Sequence, residues 1–194
     1  MPAPNNIQLM GFAAEFAVDV VKMWRRSFQR AMGLEEHNRY GELRGQLDYF
    51  LTLKKHYVRI AIQPESSKVV GFMVLEDAFD VSQLYIDTDE QGKGYGSFLL
   101  NDARQRCDGR LELHTFQRNS RAQAFYLRQG FVEIARDYAD LASNPWTTNV
   151  NDLADIQYRW DASQLETGHR FDQHLGGVLF MDFTVAPREE YMEW

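Results

Sequence analysis

"LYIDTDEQGKGYGSFLLNDARQRC", residues 84–107, runs from an apolar stretch of strand character through three glycines at alternate positions into residues with helical spacing. Glycine accepts positive φ without penalty and leaves no side chain in the way, so Gly92, Gly94 and Gly96 mark a place where something approaches the backbone closely. Tyr95, Leu99, Ala103 and Cys107 recur every four residues, which predicts a helix with one buried stripe and puts the glycines at its N-terminus. Such a terminus offers unpaired amides and the positive end of the helix dipole, the usual seat of a phosphate. Two phosphate loops fail the spacing. A P-loop needs Ser or Thr after the lysine, where Gly94 follows Lys93; a dinucleotide fingerprint needs glycine where Ser97 or Leu99 stands. A glycine turn that binds nothing is the plain alternative.

The chain has 194 residues, enough for one domain with a substantial core. Its apolar and charged fractions are those of a globular protein. A single cysteine, Cys107, excludes an internal disulfide and reads as a core residue. The N-terminal stretch has no basic residue before Lys22, and Glu15 and Asp19 interrupt its apolar positions. It reads as neither signal peptide nor membrane span, and a cytoplasmic setting is the expectation. The net charge of −7 argues against a nucleic-acid partner. Seven acids and two arginines follow Trp160, so the tail carries −5 and residues 1–160 only −2. Overall acidity therefore says little about a substrate site.

Periodicity predicts alternating elements. A short strand near Ile7–Phe12 precedes a helix with Phe16, Val20, Trp24 and Phe28, then a second helix with Leu43, Leu47, Phe50 and Leu51. "YVRIAIQ" and "VVGFMVLED" form a hairpin around "PESSK", and "VSQLYID" is the strand that feeds the glycine loop. "RLELHTF" is another strand. "NSRAQAFYLRQG" is a helix capped by Asn119, with Ala122, Phe125 and Tyr126 on one face and Gly130 as its stop. "FVEIARDY" and "DIQYRW" are two last strands around a polar loop with "ASNPWTTN".

Gln91-Gly92-Lys93-Gly94-Tyr95-Gly96 resembles the hallmark loop of the GNAT acetyltransferase superfamily. A second match is independent: Asn119, Ala122, Phe125, Tyr126, Gly130 and Phe131 follow the family's N-x-x-A-x-x-F-Y helix that ends in G-F. The resemblance covers roughly residues 5–160. It implies an α/β fold with a mixed, mostly antiparallel central sheet flanked by helices and splayed to hold acetyl-CoA. The strands that part would be "VSQLYID" and "RLELHTF". It further implies that the pyrophosphate of acetyl-CoA sits on the amides of residues 92–97, Ser97 included, with Gln91 opening the loop. The pantetheine arm would lie along Leu84, Tyr85 and Ile86, and Asn119 would reach the co-substrate from the second strand. Lys93 is either a cationic contact or a solvated lysine.

The resemblance also implies direct attack of a primary amine on the thioester, with Tyr126 protonating the departing thiolate. A tyrosine hydroxyl, whose ordinary pKa is about 10, keeps its proton at neutral pH; a buried core tyrosine is the alternative. The oxyanion would rest on a backbone amide around Tyr85 or Ile86. For the base, Glu76, Asp80, Asp87 and Asp89 all stand open, and His114 is a weaker candidate to face the acceptor. The acceptor wall would involve Glu35, Glu36, Tyr40 and Trp146. "HRFDQH", with His169, Asp172 and His174, lacks a recognisable ligand spacing, so no metal is expected.

The residues after Trp160 depart from the family. Their apolar run "LGGVLFMDFTV" is expected to pair with a sheet edge, cover its own domain or cross to a second subunit of a homodimer. Three functions fit: an acetyltransferase for a small amine, one for protein N-termini or lysines, and a non-catalytic acetyl-CoA-binding module.

Overall fold

The structure is a computed structural model and describes residue 4 and residues 6–34 and 43–165. The apolar run after Gly176, the "HRFDQH" segment, and Glu35, Glu36 and Tyr40 lie outside the described residues.

Among the described residues seven strands form one sheet: β1 (Gln8–Met10), β2 (Tyr57–Gln63), β3 (Lys68–Glu76), β4 (Asp80–Ile86), β5 (Arg110–Phe116), β6 (Val132–Tyr138) and β7 (Ala154–Asp161). Their order is β1-β2-β3-β4-β5-β7-β6, antiparallel at every junction except β4–β5. Helices α1 (Ala17–Met32), α2 (Arg44–Thr52), α3 (Tyr95–Arg104) and α4 (Ser120–Arg128) flank it. The fold class is the one the sequence implies.

α1 forms because its buried residues fall on one face, including Val20, Val21, Trp24 and Phe28, and it ends at Gly33 with φ of 67°. Trp24 is fully buried against Tyr49, Phe72 and Tyr85. Strand register sorts the two faces of the sheet. Phe72 pairs with Tyr85, so both belong to the α1 face, as does Phe116, which meets Phe28. Met73 and Leu84 alternate with them and belong to the opposite face, where Asp102 of α3 meets Tyr57 and Arg59.

Two irregularities open the middle of the sheet. Strands β4 and β5 share only the pair Asp80↔Glu112, with the Glu112 amide donating to the Phe79 carbonyl at 2.8 Å. Beyond it they have no registered pairing, as the splayed-strand expectation requires. The register between β3 and β4 also shifts: Val74 opposes Gln83, but Glu76 opposes Asp80, so one residue of β3 faces two of β4. This bulge brings Asp80 onto the α1 face with Gln83 and Tyr85.

One expectation is corrected. α3 ends at Arg104, so Cys107 is not in the helical stripe; it is half-buried beyond the helix, with its thiol 3.4 Å from the Arg104 carbonyl. Among the described strands β6 stands at the edge of the sheet, with all its residues exposed.

Candidate active site

Two of the three loop glycines take the left-handed backbone that glycine favours, while Gly96 lies within the first turn of α3 and has no positive φ. Gly92 and Gly94 have φ of 80° and 86°, and a Cβ added at either would meet nothing within 4 Å. Glycine is needed there for backbone conformation, and the space over the loop stays open. Gly94 precedes the first residue of α3 and brings no side-chain cap. Within the helix the first amide to pair is that of Phe98, with the Gly94 carbonyl, so the amides of residues 95–97 start α3 without helical acceptors.

These residues open onto a hollow of about 150 Å³ lined by Ile86, Gln91, Gly92, Gly94, Tyr95, Gly96 and Ser97. Glu90, Phe125, Arg128 and Gln129 complete the lining, and sequence reasoning did not place them there. In the sequence Arg128 is one cation at the end of α4, and only folding brings it to the hollow. Its Nη2 is buried without a hydrogen-bond partner among the described residues. An orphaned guanidinium nitrogen facing free helix amides suits an anion with several oxygens.

Lys93 does not line the hollow. It is bound to Glu90 at 2.7 Å, and Lys68 meets the same carboxylate at 2.9 Å. Burial alone would raise the Glu90 pKa, but hydrogen bonds from Lys93 and Lys68 hold it below the usual range. The two lysines thus offset an anion that would otherwise repel phosphate. Leu84, Tyr85 and Asn119 are also absent from the lining. Leu84 and Tyr85 are fully buried in the opening strand, and Asn119 caps α4 by accepting from the Ala122 amide at 3.2 Å.

Tyr126 is fully buried among Phe125, Phe131 and Tyr158. Leu113 of β5 pairs with Tyr158, which places this cluster on the hollow's side of the sheet.

The α1 face carries the acids. Asp80, at the point where β4 and β5 part, has no hydrogen-bond or ion-pair partner among the described residues. Burial, reinforced by the charge of Glu76, pushes its carboxyl up to about 6. Glu76 is engaged by Ser82 at 2.7 Å and His56 at 3.5 Å. Asp87 and Asp89 are bound elsewhere: Asp87 to Arg26 and Lys68 at 2.7 and 3.2 Å, Asp89 to Arg30 at 3.1 Å. Burial alone would raise the Asp87 pKa, but the hydrogen bonds from Arg26 and the Asp89 amide and the charges of Arg26 and Lys68 together hold it below the usual range. Such a carboxylate is a poor proton acceptor. Trp146 packs on Phe28 and Phe116 at 5.7 and 5.5 Å and walls this face.

Among the described residues no group of three His, Cys, Asp or Glu could hold a metal, and no helix is long and apolar enough to cross a membrane.

Residues 54–133 match the family described as acetyltransferase (GNAT) domain. No curated protein matches the chain in sequence. Among solved structures, apo YjaB from Escherichia coli is 22% identical at a TM-score of 0.60, over 79% of this chain and 97% of that one. Spermidine N-acetyltransferase from Vibrio cholerae, solved with CoA and spermine, is 16% identical at 0.59, over 81% and 96%. The protein yncA from Salmonella typhimurium, solved with acetyl-CoA, is 13% identical at 0.57, over 81% and 95%. The matched segment, 80 of the 194 residues, contains the glycine loop, the parting strands and Tyr126, so the centre of the chain is similar to a GNAT acetyltransferase domain and the fold is that of the solved acetyltransferases.

Proposed function

We propose that the chain is an N-acetyltransferase that moves the acetyl group of acetyl-CoA to the primary amine of a small molecule. The observation that carries this reading is the hollow at the N-terminus of α3, where uncapped amides face the orphaned Arg128 Nη2 beside a sheet parted between β4 and β5. The residues present fit the phosphates of the co-substrate. Residues 92–97 and Arg128 would hold the pyrophosphate, and the unpaired flank of β4 would hold the amide-rich arm.

Acetyl-CoA, when bound, supplies an activated thioester and a thiol leaving group. The remaining chemistry belongs to the chain. On the α1 face Asp80 takes a proton from the ammonium so that a neutral amine can attack directly. A backbone amide of β4 near Tyr85 or Ile86 steadies the oxyanion. From the opposite face Tyr126 donates the proton that the departing sulfur needs. Trp146, packed over the buried Phe28 and Phe116, covers part of the acceptor face, and this reading takes a small amine as the acceptor.

A panel of amines, polyamines first because of the likeness to the spermidine enzyme, should release thiol from acetyl-CoA. No release with any amine would sink the reading and leave the binding module. Gly94→Val is expected to weaken acetyl-CoA binding at least tenfold by calorimetry, since a β-branched residue cannot hold φ of 86° cheaply. Unchanged affinity with unchanged circular dichroism would refute the phosphate cradle. The same reading includes a homodimer in the cytoplasm. Its support is the sheet's last strand, β6, which leaves Val132, Ile134 and Tyr138 exposed. Light scattering should give twice the chain mass, and a monomer mass would remove the dimer.

A further inference from the structure

We propose that His114, oriented by Asp155, carries the acceptor's proton from Asp80 to solvent. This rests on the acetyltransferase reading and adds a proton path to it. In each turnover a protonated amine loses two protons. Its nitrogen lone pair forms the new C–N bond while the C–S bond breaks; one proton ends on sulfur, and the other must leave through the protein to water. Nothing is oxidised or reduced. Asp80 receives that second proton at a half-buried site, and it can serve the next turnover only after passing the proton on.

The neighbours of Asp80 decide the route. On β3, Glu76 is held by Ser82 and His56. On β5, Glu112 is held by Arg159 at 2.9 Å and Gln157 at 3.1 Å of β7, with Arg110 at 3.5 Å. Neither carboxylate is free to shuttle. His114 lies two residues beyond Glu112 on the same face of β5, just past the point where β4 and β5 part. Once protonated, its charge acts on Asp80 in the direction opposite to that of Glu76. Gln157 opposes it across the ladder, and Asp155 lies on the same face of β7.

The ring is set up for transfer. His114 Nδ1 lies 3.2 Å from Asp155 Oδ2, and the side chains are 33% and 5% exposed. A buried carboxylate beside one ring nitrogen favours the Nδ1–H tautomer and leaves Nε2 as the proton acceptor. Nε2 has no hydrogen-bond partner among the described residues, and a ring one-third exposed reaches water. Asp155 is a positioning residue, since it acts through the imidazole.

Two readouts on the full chain test this. In weak buffer His114→Ala should lower kcat roughly 10- to 100-fold, leave the KM for the amine within about twofold, and regain rate as imidazole is added. A structural role for His114 would give no imidazole rescue. Without any acetyl-CoA, nitrogen NMR of the wild type, recorded at a pH where the imidazole is neutral, should show the ring proton on Nδ1, and Asp155→Asn should shift that balance towards Nε2–H. Full kcat for His114→Ala in weak buffer, or a loss that imidazole does not restore, overturns the relay while leaving the transferase intact. An Nε2–H tautomer in the wild type overturns the orienting role of Asp155. A wild type that releases no thiol with any amine overturns the relay together with the function beneath it.

Discussion

Tyr126→Phe is expected to lower kcat ~10²- to 10⁴-fold while the Kd for acetyl-CoA stays within about twofold, the range that a positioned general acid commonly supplies. The substitution removes one oxygen and leaves the ring among Phe125, Phe131 and Tyr158, so packing is conserved. Loss of one hydroxyl hydrogen bond would cost only about 0.5–1.5 kcal/mol of stability. The two roles of Tyr126 therefore separate by measurement. A transferase with normal kcat and a lower Tm would make Tyr126 a core residue. A large fall in kcat with nearly unchanged Tm and cofactor affinity would make it the acid.

Much of this arrangement is legible in the sequence because it is local. The four-residue spacing of Val20, Trp24 and Phe28, the alternation in "YVRIAIQ" and the cap at Asn119 each follow from one element's own period. The glycine loop is legible because positive φ leaves a compositional trace. What is not legible depends on convergence between elements. Arg128 and Glu90 reach the hollow from a helix C-terminus and a short turn, and neither position differs in sequence from a solvated charge.

The same limit explains the base. Glu76, Asp80, Asp87 and Asp89 look alike as residues, and only their partners separate them. Asp87 and Asp89 are spent on Arg26, Lys68 and Arg30, Glu76 on Ser82 and His56. The bulge that puts Asp80 on the acceptor face has no signal in "VSQLYID", which contains no glycine. Cys107 was misplaced because the helical period continues past Arg104 in the sequence while the helix does not.

Asp80→Asn should move activity and stability in opposite directions. As the base, Asp80 must be ionised, so kcat/KM of the wild type should rise with pH through about 6. The isosteric amide cannot accept the proton, and a loss of ~10²- to 10⁴-fold follows. For stability the sign runs the other way. The folded-state pKa of Asp80 is raised from 3.8 to about 6, so the folded chain holds this proton more tightly than the unfolded chain. That contribution to stability is complete below the unfolded value and is lost as pH rises through the folded one. At pH 7 the half-buried carboxylate thus destabilises the fold by up to roughly 3 kcal/mol, at about 1.4 kcal/mol per pKa unit. Asparagine removes that burden, so the variant should melt higher than the wild type at pH 7 and at nearly the same temperature at pH 4. A variant that keeps its activity would strip Asp80 of the role of base. One that loses activity without gaining stability at pH 7 would show that its carboxyl is not held up by burial, and the rise of kcat/KM near pH 6 would then need another owner.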